Sequence, residues 1–100
     1  MKGFQKKYLR GLAHSLDPSI LIGQKGLTDT LVRAMREELD RHELIKVKFN
    51  DFKEKEAKQA IVASLVEQTG CIPIGMIGHT AIFYRQNSNP EKRKILLPDR

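Results

Sequence analysis

The sequence predicts an α/β domain with element order α-β-α-β-α-β-β, and three observations predict it. Apolar residues recur in steps of three and four over Phe4–His14, Leu31–Leu39 and Ala57–Leu65, the period of helices that each pack one face. Short apolar or alternating runs at Ile20–Ile22, Leu44–Phe49, Cys71–Ile77 and Thr80–Arg85 have the length and pattern of strands. Glycine, proline and Asn/Asp residues fall between these runs, where the chain must turn.

Each element has its own reason. In the first helix Phe4, Tyr8, Leu9, Leu12 and Ala13 form the inward stripe, and Lys6, Lys7 and Arg10 lie off it in solvent. Asp17-Pro18 breaks that helix, because the residue before a proline avoids the helical region, and Ser19 to Ile22 becomes the first strand. Thr28 is placed to cap a second helix running to about His42, with Leu31, Val32, Met35 and Leu39 inward.

Leu44 to Phe49 alternates, so Ile45, Val47 and Phe49 go to the core and Lys46 and Lys48 to the other face. Asn50-Asp51-Phe52 is a turn. The third helix spans Lys53 to Thr69, with Ala57, Ile61, Val62 and Leu65 inward, a Glu54–Lys58 pair at i,i+4 and Gly70 at its stop. Gly78-His79 suits a two-residue II′ hairpin between the last two strands. Pro73 cannot donate to a ladder, which assigns its strand to a sheet edge. The closing Ile95-Leu96-Leu97-Pro98 is expected to fold back on the domain.

One hundred residues make a single domain, 1–100, large enough for one core. No apolar run approaches the length of a membrane span. The first ten residues are basic without the continuous apolar stretch of a secretory signal, so a cytoplasmic protein is expected. One cysteine, Cys71, leaves no internal disulfide and no multi-cysteine metal site. Lys and Arg total 18 against 12 Asp and Glu, a net charge of +6 that suits a polyanionic partner.

The chemistry concentrates in Gly23-Gln24-Lys25-Gly26, which joins the first strand to the second helix. Two residues without a β-carbon let the main chain approach a ligand, and the helix start that follows favours an anion. A strand-to-helix turn that needs positive φ would use glycine in the same way. The loop is not a triphosphate P-loop, because Lys25 precedes Gly26, and it lacks the third glycine of a dinucleotide fingerprint, where Asp29 stands. What remains is the short clamp that KH-type modules place on a nucleic-acid backbone. Asp29 competes with a phosphate for the same positive field. Arg33 and Arg36 lie within two turns of the clamp, where a passing backbone could meet them.

Catalysis and cofactors find no comparable support. Cys71 and His79 flank one predicted hairpin, which suggests a nucleophile with a base, but Cys71 begins an apolar strand and reads as a buried structural thiol. Three dispersed histidines and one cysteine make no zinc set. A non-catalytic protein without cofactor or metal is expected.

With these stretches placed, the chain resembles the YhbY-type CRM domain, the chloroplast RNA splicing and ribosome maturation module. The resemblance is carried by Gly11-Leu-Ala-His14, Ile22-Gly-Gln-Lys-Gly-Leu-Thr28, His42-Glu-Leu-Ile-Lys-Val-Lys48, Ile77-Gly-His-Thr80, Ile82, Tyr84-Arg85 and Ile95-Leu-Leu-Pro98. It implies a two-layer α/β sandwich like the C-terminal domain of translation initiation factor three: three helices on a four-stranded mixed sheet of order 1-2-4-3. It further implies RNA binding, with ribosomal RNA of large-subunit precursors as the partner. Gly23, Gln24, Lys25 and Gly26 would touch the sugar-phosphate backbone. Lys6, Lys7 and Arg10 would extend the positive surface, an inference from charge.

A monomer with no membrane partner is expected. A protein-interaction or scaffold domain meeting an acidic partner is the alternative, motivated by the exposed edge strand at Cys71–Ile77. Aromatic residues are few and mostly core, so base stacking should be a smaller term than backbone contact; Phe52, in its turn, is the one candidate for stacking.

Overall fold

Local signals set the helix ends. Thr28 accepts the Leu31 N–H on its side-chain oxygen at 3.1 Å and so caps α2 (Asp29–His42). Gly70 takes φ +72° and closes α3 (Lys55–Thr69) in the left-handed cap that glycine favours. A computed structural model describes residues 1–99. Before these helices come α1 (Gly3–Ala13) and β1 (Ile20–Ile22); β2 (Leu44–Phe49) joins the two, and β3 (Ile72–Ile77) and β4 (Thr80–Tyr84) follow.

The strands form one mixed sheet of order β1-β2-β4-β3, as expected. β1 runs parallel to β2, with Leu21 opposite Lys48, and β4 is antiparallel to both β2 and β3. β3 is an edge strand, where Pro73 costs the sheet no internal ladder bond; the pairing slips between Pro73 and Gly75. Gly78 adopts φ +59°, as the first position of a II′ turn requires.

The layering is richer than a two-layer sandwich. On one face Ile20, Ile22, Ile45, Val47, Ala81 and Phe83 pack against Val32, Met35 and Leu39 of α2 and Leu65 of α3. On the other, Leu44, Ile82, Tyr84 and Ile74 pack against Leu9 and Ala13 of α1. The tail completes this second core: Ile95 and Leu97 pack against it, whereas Leu96 stays exposed. Two faces are buried because β4 is apolar at every position from Ala81 to Tyr84 and would otherwise leave half of that run in water.

Two expectations need correcting. Only Leu9 and Ala13 of the α1 stripe are buried, and Tyr8 and Leu12 are exposed, because a single line of α1 meets the sheet. The Glu54–Lys58 pair is not formed among the described residues. Lys58 Nζ donates instead to the Gly78 carbonyl at 3.1 Å, a fixed acceptor that outcompetes an exposed ion pair worth a few tenths of a kcal/mol.

Candidate nucleic-acid interface

Parallel β1 and β2 both end where the glycine loop begins, and that end of the sheet gathers three loops. Ile22 O accepts the N–H groups of Asn50 (2.9 Å) and Asp51 (3.2 Å), which seats the β2–α3 loop beside the β1–α2 loop. The Phe49 N–H donates to the His79 carbonyl at 2.7 Å and brings the β3–β4 hairpin to the same end. Ligands of α/β sheets bind at the carboxyl ends of parallel strands, where such loops converge.

Within the first loop, Gly26 N–H donates to Gly23 O at 2.9 Å and closes a tight turn that lifts Gln24 and Lys25 into solvent. The two glycines serve different ends. A β-carbon on Gly23 would meet nothing within 4 Å, so that side of the main chain is open. Gly26 is buried at φ +64°, and its vacant side is filled by the ring of Phe52, whose Cε2 would stand 3.1 Å from a β-carbon there. The approachable main chain therefore runs over Gly23, Gln24 and Lys25, and Gly26 is the packed base of the turn.

Cations surround this end. Lys25 projects from the first loop and Lys53 from the second, and Lys58 reaches the hairpin, where its Nζ lies 3.2 Å from His79 Nδ1. His79 titrates below the usual imidazole range, first through desolvation and then through repulsion by Lys58 and Lys53. A neutral ring with Nδ1 accepting from Lys58 fits that contact. Lys48 is exposed on the sheet face behind the loops. Asp29 at the start of α2, the half-buried Asp51 and the exposed Glu54 are acids at the same loops. Lys53, Lys58 and His79 were not assigned to the interface from sequence; two lysines near a helix start and a histidine in a turn join only when the hairpin folds over.

The other predicted site residues fall elsewhere. Arg33 is exposed on α2 and makes no side-chain hydrogen bond among the described residues. Arg36 donates to Gln68 O at 2.6 Å and ties α2 to α3. Lys6, Lys7 and Arg10 sit on α1, across the sheet from α2, and Arg10 is drawn over β3, donating to Ile74 O at 3.4 Å. That is the sheet edge remote from β1.

The structure does not bring Cys71 and His79 together. Cys71 is buried, and burial pushes its thiol up, away from the reactive thiolate. It precedes β3 and His79 follows it, so the full length of that strand separates the two. Among the described residues no three His, Cys, Asp or Glu side chains gather to hold a metal, and no helix is long and apolar enough to cross a membrane.

Residues 1–85 match the family model of the CRS1 / YhbY (CRM) domain. The chain is 39% identical over 94 residues to an RNA-binding protein of Haemophilus influenzae, covering 94% of this chain and 91% of that one. It is 32% identical over 98 residues to the "Probable RNA-binding protein YqeI" of Bacillus subtilis, covering 98% and 99%. Among solved structures it is similar to a Staphylococcus aureus protein proposed to bind RNA, with TM-score 0.79 and 31% identity over 98% of this chain and 99% of that one.

Proposed function

This chain belongs to the CRS1 / YhbY (CRM) domain family, and from that premise we propose that it is a non-catalytic RNA-binding protein acting in assembly of the large ribosomal subunit. The Gly23–Gly26 loop grips the sugar-phosphate backbone of an unpaired strand. The observation that carries this reading is the open turn itself: bare main chain at Gly23, two solvent-facing side chains at Gln24 and Lys25, Lys53 on the loop beside it and Lys58 reaching the hairpin from the first turns of α3. Main-chain N–H groups and ammonium groups recognise phosphate without reading sequence. Arg33 continues the track along α2, and Lys6, Lys7 and Arg10 supply a second basic surface behind the sheet. The working form is a cytoplasmic monomer.

Replacing Gln24 and Lys25 together with aspartate tests the grip. Both side chains point into water, so the melting temperature should hold while affinity for single-stranded RNA collapses. Undiminished binding in the Q24D/K25D variant would refute the loop as the contact. Cosedimentation with large-subunit precursors tests the assembly role, and a protein found only on free or fully mature particles would argue against it.

One observation favours a second reading, a protein-interaction domain. β3 is an open edge, Ile77 on it is 61% exposed, and Val62, Val66, Pro73 and Met76 line an apolar groove beside it. Partners that survive nuclease treatment would support this reading over RNA.

A further inference from the structure

The Phe52 ring is the exposed aromatic at the loop end of the sheet. It remains 42% exposed even though one ring edge is packed on Gly26. Its backbone takes φ +55°, a left-handed conformation that turns reserve for glycine, asparagine or aspartate and that a bulky residue rarely adopts. The aromatic side chain is thus held in an unfavourable backbone state, in water, against the turn that presents Gln24 and Lys25. The core does not require it. Phe49, three residues earlier, is already fully buried on the inner face.

We propose that Phe52 is a nucleobase-stacking platform: an unpaired base of the single strand held at Gly23–Lys25 lies on its ring. Charge complements this occupant, because the exposed Lys53 follows the platform in the chain and the exposed Lys25 stands in the adjoining turn, where both can meet flanking phosphates. A base carries a π face whatever its identity, so the contact adds affinity and selects unpaired over duplex RNA with little sequence preference. Gly26 sets the distance between the two subsites, since its missing side chain is what allows ring and turn to touch. The proposal rests on the backbone grip proposed above.

The test separates the two. Wild-type protein is titrated with oligouridylate and with an abasic ribose-phosphate oligomer of equal length, alongside Phe52→Leu and Q24D/K25D. Leucine keeps an apolar cover on Gly26 and removes the π face. Stacking predicts that F52L weakens oligouridylate about 5- to 100-fold and leaves the abasic oligomer unchanged, whereas Q24D/K25D weakens both. The chain contains no tryptophan, so in F52W the introduced indole is a lone reporter, and its fluorescence should be quenched by oligouridylate and not by the abasic oligomer.

Equal affinity of the wild type for the two oligomers, with no quenching in F52W, would overturn the platform and leave the grip standing. Unchanged binding by Q24D/K25D would overturn the grip and the proposal with it. Should F52L fail to fold, the wild-type comparison and the F52W signal decide alone.

Discussion

The ring of Phe52 occupies the space where Gly26 lacks a side chain: a β-carbon on Gly26 would come within 3.1 Å of Cε2 and 3.2 Å of Cζ. Two loops 26 positions apart in sequence are locked together by that contact, and Gly26 also needs φ +64°. Gly26→Ala should therefore cost about 1–2 kcal/mol from the left-handed backbone alone, with the ring displacement adding to it. Gly23→Ala, with open space around it, should be near neutral in stability. Urea melts of the two variants check the contrast, and equal losses would mean the glycines share one role.

Glu43 is a buried carboxylate that organises the tail. Its Oε1 accepts the N–H groups of Lys94 (2.7 Å) and Ile95 (3.0 Å), and its Oε2 that of Asn87 (2.6 Å). Burial by itself would raise this carboxyl, but the three hydrogen bonds, helped by Arg93, outweigh it and hold the group below the ordinary carboxylate value. A folded value below the unfolded one gives stability that is complete above the unfolded range and drains away as pH falls through it toward the folded value. Glu43→Gln should cost about 1–3 kcal/mol at neutral pH, and less as the medium is acidified through the carboxylate range. Denaturant melts across that range read the effect; a constant difference at all pH values would contradict it.

Two arginines three positions apart on α2 have separable jobs. Arg36→Met removes the Gln68 tie and should lower stability by about 1 kcal/mol. Arg33→Met should leave the melting temperature alone and weaken RNA binding, reducing the magnitude of the salt slope by about 0.7 if one phosphate contact is lost. Identical phenotypes for the two would dissolve the distinction.

Binding should be strongly salt-dependent. A strand with roughly four to six neutralised phosphates gives a log–log slope of about −3 to −4 for a single-stranded partner. A slope near zero would point away from backbone contact and toward the protein-interaction reading.

Helix and strand identities were legible because their signals are local. The step-three-and-four repeat of Val32, Met35 and Leu39, the cap chemistry of Thr28 and Gly70, and the missing N–H of Pro73 each act within a few residues or on a single ladder position. The alternation of Ile45, Val47 and Phe49 likewise chose its buried face without help from partners. Leu44 shows the limit: it is buried too, on the opposite face, because α1 and the tail come to cover it.

The order of residues alone was enough to mark which segments become helices and strands, which strand lies at an edge, and that a bare polar turn opens α2. It took the folded arrangement to place Phe52 over Gly26, Lys58 against His79, Arg36 on Gln68, and Glu43 under residues 87–95. Periodicity and turn chemistry are imposed by dihedral angles and hydrogen bonds between near neighbours. These later contacts join residues 21 to 52 positions apart, and no residue carries a mark of a partner that packing alone brings to it.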